Sequence, residues 1–305
     1  MKMKAKLFCV TFLLCIGTGC ATSYSRLSTQ ALPPDPADNL PGIRITDAEM
    51  SFSLFRDEPD AEVATAAAGD LAKAYRILAD TVGVSAAEVN WAQVAFSRDP
   101  NYQPPRHQDT TRWTILLQPE GALGQRGQQD LYSLVPHEQV HAIQEDFGQL
   151  PRWYAEGMAT WAGLKATSAF RPHLEAEKRA ELSRERLAVT EPLRLIAWGG
   201  IAPKPEAIMR QITAEQRQRM AAEPGYMPPG PFSFNADDLV SDESNTAARY
   251  AASLALFEAV EAKAGSDGVR AWIAEVAKLP DPKESSEIVR LAKDVAGVDI
   301  SGMLD

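Results

Sequence analysis

The chain has 305 residues, 45% of them hydrophobic and 24% charged, with a formal net charge of −10. That composition is ordinary for a globular protein able to bury a substantial core, and it excludes a disordered or fibrous chain. Proteins that bind polyanions are usually basic, so the acidic balance argues against nucleic acid as a partner.

At the N-terminus, Lys2, Lys4 and Lys6 form a basic region and Leu7 to Ile16 an apolar one. The apolar run is short for a membrane-spanning helix and the right size for a secretory signal. Thr18-Gly19-Cys20 resembles the end of a bacterial lipobox, in which the cysteine is lipidated and becomes the mature N-terminus; Gly17 stands where that pattern usually has a Leu-like residue. Of the three cysteines, Cys9 and Cys15 lie inside the signal, so the mature chain keeps only Cys20 and forms no internal disulfide. The expectation is a protein of the bacterial cell envelope, held to the membrane through a lipid on Cys20, on the periplasmic face of the outer membrane. Residues 1–20 are then signal. Residues 21–42, rich in Ser, Thr and Pro, read as an extended tether.

Ile43 to Ile45 begins a first strand. Residues 60–82 read as a helix, because Leu71, Tyr75, Leu78 and Val82 recur at steps of three and four and Gly83 follows as a stop. Trp91 to Ser97 and Trp113 to Leu117 read as strands, the second with Trp113, Ile115 and Leu117 on one face. A polar loop, Asp99 to Thr111, joins them.

The chemistry-bearing stretch is His137-Glu138-Gln139-Val140-His141. Histidines four apart share one helix face, so both imidazoles can reach a single metal ion. Glu138, one residue round, can take a proton from water without being a ligand. Ser133 is the expected N-cap, with Pro136 in the first turn, and Gly148 closes the helix. A catalytic zinc usually takes three protein ligands and leaves the fourth position open. Glu156 follows Pro151 on a second helix and is the candidate third ligand; taken alone, it reads as well as a first-turn carboxylate favoured by the helix dipole.

Beyond Gly163 the chain reads as mainly helical. His173 to Val189 is a charged, solvated helix with His173 on its surface. Trp198-Gly199-Gly200 marks a turn, and Ala221 to Phe234 an irregular Pro/Gly-rich loop. Asn245 to Ala264 is a helix ending at Gly265, with Tyr250, Leu254 and Phe257 on one face; Val269 to Lys278 and Glu284 to Ala296 are packing helices.

The string HEQVHAIQEDFGQLPRWYAEGMATWAG resembles the active-site region of gluzincin metallopeptidases, which combine HExxH with a downstream glutamate. Its short spacing and its Pro-Arg-Trp-x-x-Glu-Gly are similar to the compact bacterial peptidase-MA-like families. The close match covers Leu131 to Gly163, and a looser one Trp91 to Gly265. The resemblance implies an α+β, zincin-like fold, with a small mixed sheet, helices and the metal site in residues 43–163 and a mainly helical part in residues 164–305. It implies Zn2+ held by His137, His141 and Glu156, Glu138 as general base, and hydrolysis of a peptide or protein substrate. It also implies a strand, Trp113 to Leu117, whose free edge pairs with extended substrate. Tyr250 is the candidate donor to the oxyanion, equally readable as a packed core tyrosine; Tyr154 and His107 are weaker candidates. Thr160 departs from the pattern, which often places there an acid that orients a histidine ligand. That departure supports an alternative: a non-catalytic, envelope-anchored binding or assembly protein on a zincin scaffold. The intact Glu138 favours the peptidase.

Overall fold

A computed structural model of the chain describes residues 27–35, 39–46, 50–57, 60–104, 112–223 and 225–305. The signal, Cys20 and His107 lie outside the described residues. Five strands form one mixed sheet in sequential order. Strands β1 (Ser28–Leu32), β2 (Gly42–Thr46) and β3 (Ser51–Arg56) are antiparallel neighbours. Helix α1 (Ala61–Val82) then crosses to β4 (Gln93–Ser97), which runs parallel to β3, and β5 (Arg112–Leu116) runs parallel to β4 at the sheet's edge. Leu71, Tyr75, Leu78 and Val82 of α1 are all buried, and Gly83 closes the helix at a positive φ of 89°. Their partners include Phe52 and Leu54 of β3 and Val94 and Phe96 of β4.

The tether reading is corrected at its C-terminal half. Ser28–Leu32 is a sheet strand paired with β2, and buried Asp35 forms an ion pair with buried Arg112 of β5. A polar, proline-bearing stretch looks unstructured in isolation. Here extended backbone finds an edge to pair with, and composition carries no sign of that partner.

The metal-motif helix also begins earlier than expected. Helix α2 (Gln125–Gln129) runs through a π turn, Asp130–Leu134, into α3 (Val135–Gln144) without a break. Ser133 therefore sits inside the helix rather than capping it. The wide turn has a physical reason. Pro136 has no N–H to offer the carbonyl four residues back, and its ring would crowd that carbonyl in regular α geometry. A 3₁₀ turn, Glu145–Phe147, and Gly148 at φ 76° end the helix, as expected.

Helix α4 (Arg152–Phe170) starts after Pro151, and α5 (Pro172–Leu187) follows. Next come β6 (Ile201–Pro203), α6 (Pro205–Met209), α7 (Ala214–Ala222) and β7 (Leu239–Ser241), the two short strands pairing antiparallel. Helix α8 (Thr246–Ala277) is broken at Gly265, where φ is 69° and ψ 177°, so the expected stop is a kink between two helical segments; α9 (Ser285–Ala296) closes the chain. One hydrophobic core runs from Ile45 to Leu304. The boundary drawn after residue 163 falls inside α4, whose Trp153, Met158 and Trp161 share that core with Phe257 and Trp272 of α8.

Opposite its histidines, α3 is pinned by Gln139, which is 0% exposed. The Gln139 amide donates to the Tyr75 hydroxyl at 2.8 Å and to the Ala92 carbonyl at 2.9 Å, and accepts from the Ala92 N–H at 2.9 Å. Replacing Gln139 by Ala orphans buried partners that each cost ~1–3 kcal/mol unsatisfied. The expected outcome is a loss of at least ~2 kcal/mol in unfolding free energy by urea denaturation.

Candidate metal centre

The site is built where α3, α4 and α8 come unusually close. A Cβ on Gly163 would lie 3.1 Å from the backbone N and Cα of His137, so only glycine lets α4 lie flat on α3 there. A Cβ on Gly157 would lie 2.8 Å from the Ser253 carbonyl, which fixes the same need between α4 and α8. These two contacts carry Glu156 to the histidines and bring Tyr250 over them.

His137 and His141 present Nε2 to a common point, their rings 5.1 Å apart and 77° inclined. Glu156 Oε2 lies 3.3 Å from His137 Nε2 and 3.4 Å from His141 Nε2. The possible ligand atoms of the three residues all lie within 4.8 Å of one another. That carboxylate oxygen is buried, and among the described residues no hydrogen bond of good geometry reaches it. A buried anionic oxygen facing two imidazole nitrogens fits a divalent cation. The other carboxylate oxygen, Oε1, is 3.8 Å from Nε of Arg152, one turn earlier on α4. Arg152 in turn pairs with Glu243 and lies 4.9 Å over the Trp198 ring.

The charges respond to this packing. Burial pushes the Glu156 carboxyl up, but the two imidazoles outweigh it and hold the group well below the usual carboxylate range. Burial works against a charged His141, yet Glu156 and Gln144 beside it raise its pKa. For Glu138 burial dominates over the neighbouring imidazoles, so its carboxyl titrates above the ordinary glutamate value. Burial, reinforced by the Glu156 charge, raises Tyr250.

Glu138, His137, Thr160 and Tyr250 line one cleft of about 970 Å3, walled by α3, α4, α5 and α8. The Tyr250 ring centre is 5.9 Å from that of His137 and 5.1 Å from that of Trp198. Tyr154 is withdrawn as an oxyanion candidate. It is 0% exposed, and its ring packs against Trp153, Phe257 and Trp272 in the core. His173 is exposed on α5, as expected. Thr160 does face the cleft, but its buried hydroxyl has no partner and orients nothing. Strand β5 does end the sheet, yet none of its residues lines the cleft. The residues missed in sequence are Gln144, whose Oε1 lies 2.7 Å from His141 Nδ1, and Arg152. The i,i+3 spacing of Gln144 from His141 is the signal that points to the first.

No protein-family model matches the chain, and no curated protein sequence matches it. Among solved structures, it is similar to a mutant of a two-domain M1 zinc metallopeptidase bound to L-arginine. The likeness has 16% identity and a TM-score of 0.43, over 91% of this chain and 50% of that one, so the chain spans about half the length of that protein.

Proposed function

We propose that the chain is a zinc-dependent peptide hydrolase with His137, His141 and Glu156 as metal ligands. The observation that carries this reading is the buried, undonated Glu156 Oε2 held against both imidazole Nε2 atoms beside a solvent-reaching cleft. Two histidines and a carboxylate are a zinc donor set that leaves a fourth position free. Zinc bound there supplies a Lewis acid that polarises the scissile carbonyl and acidifies water.

The remaining work falls to this chain's own side chains. Glu138, lining the cleft beside the histidines, takes the proton of the attacking water and hands it to the departing amine. Tyr250, over His137, donates from its hydroxyl to the carbonyl oxygen as charge develops there. Arg152 keeps the second Glu156 oxygen turned away from the histidines.

A second reading, a binding or assembly protein on the same scaffold, is favoured by Thr160, which leaves a cleft-facing hydroxyl without a partner. The two part on turnover. Glu138→Gln is expected to bind zinc as the wild type does and to lose ~10²–10⁴-fold in cleavage of a peptide library. In the same assay Tyr250→Phe loses ~10²–10³-fold in kcat, and Glu156→Ala fails to retain zinc. Zinc-loaded wild type that cleaves nothing, or a Glu138→Gln variant as active as the wild type, contradicts the hydrolase.

The layout of Lys2 to Cys20 supports export to the cell envelope and a lipid on Cys20. The full-length chain expressed in a bacterial host is then expected in the membrane fraction, and the Cys20→Ser variant outside it. Equal partitioning of the two overturns the lipid anchor.

A further inference from the structure

We propose that Gln144 is the positioning residue of this centre: a single neutral amide that sets the tautomer of His141 and ties the helix carrying the histidines to the helix carrying Glu156. The inference rests on the metal-site reading above and assigns a part of it to a residue that touches no substrate.

Gln144 is the last residue of α3, three after His141, and is 7% exposed. Its Nε2 donates to the Ala155 carbonyl at 2.8 Å, and its Oε1 lies 2.7 Å from His141 Nδ1. A carbonyl oxygen only accepts, so the Ala155 contact decides which way the amide faces. Nitrogen points to α4 and oxygen to His141. An amide oxygen in turn only accepts, so His141 must carry its proton on Nδ1. The ring's other nitrogen, Nε2, is then the lone-pair atom in the neutral imidazole, and it is the one aimed at Glu156 Oε2 3.4 Å away.

The far end of the strut adds a second, smaller part. Ala155 directly precedes Glu156, so one side chain fixes the ring of one ligand and the backbone beside another. Separately anchored ligands would drift with any slide of α4 along α3; a shared anchor makes them move together. Thr160, where the resembled pattern often has an orienting acid, has a buried hydroxyl without a partner among the described residues. An amide does that work here without adding a third carboxylate beside Glu156 and Glu138.

The test compares Gln144→Met, similar in length but without donor or acceptor, with Gln144→Glu, which still accepts from Nδ1. Zinc affinity is read by competition with a chromophoric chelator, and the metal-free proteins are melted to check that both fold. The expected result is a ~10–100-fold weaker zinc affinity for Gln144→Met, with Gln144→Glu recovering much of it. In the zinc-loaded wild type, NMR should show an exchange-protected imidazole Nδ1–H proton for His141 that is lost in Gln144→Met. Equal affinity of wild type and Gln144→Met, or a Gln144→Glu variant as weak as Gln144→Met, overturns the role while leaving the metal site standing. Wild type that binds no zinc overturns the metal site, and this role with it; because the wild type is titrated first, the two failures are told apart. Should Gln144→Met fail to fold without metal, the comparison of Gln144→Glu with wild type and the Nδ1–H resonance decide the matter.

Discussion

Everything in this molecule's interior is arranged around a carboxylate that ought not to be where it is. Glu156 is partly buried, is held ionised by two imidazoles, and turns one buried oxygen toward their nitrogens. Such an atom costs free energy unless a cation meets it. Two Nε2 atoms within 3.4 Å make the three side chains together a candidate coordination site.

The rest of the fold can be understood as what brings that carboxylate within reach and keeps it there. Small residues do the first part. Gly163 lets α4 touch the backbone of α3 at His137, and Gly157 lets α8 close over α4. Polar anchors do the second. Gln139 on the buried face of α3 locks the helix to Tyr75 and Ala92, Gln144 locks it to α4, and Arg152, itself held by Glu243 and Trp198, faces the other oxygen of Glu156. The aromatic core between α4 and α8, with Tyr154 and Trp161 against Phe257 and Tyr154 also against Trp272, gives those contacts a rigid backing. The π turn ahead of α3 serves the same end: it absorbs Pro136 so that the helix runs on undisturbed through both histidines.

Local periodicity made much of this legible in advance. The spacing of His137 and His141, the proline before α4, the burial rhythm of α1 and the glycine stops at 83 and 148 are properties of the nearest few residues, and the structure follows them; at Gly265 it breaks the helix without ending it. What was illegible depends on partners far along the chain. Ser28–Leu32 becomes a strand only because β2 offers it an edge. Tyr154 stays a weaker candidate donor beside Tyr250 until Trp272, more than a hundred residues later, is seen packed on its ring. Strands β6 and β7, three residues each, are too short to show any period. Gln144 was overlooked because its second partner, Ala155, contributes only a backbone carbonyl, which no side-chain pattern reveals.

The most direct measurement is X-ray absorption at the zinc edge of the purified, zinc-loaded chain. The convergence of His137, His141 and Glu156 predicts a shell of two imidazole nitrogens at about 2.0–2.1 Å, with the outer-ring scattering characteristic of histidine, and oxygens at about 2.0–2.2 Å. A shell of oxygens alone, without imidazole scattering, would mean that zinc sits elsewhere and that Glu156 is buried for some other reason.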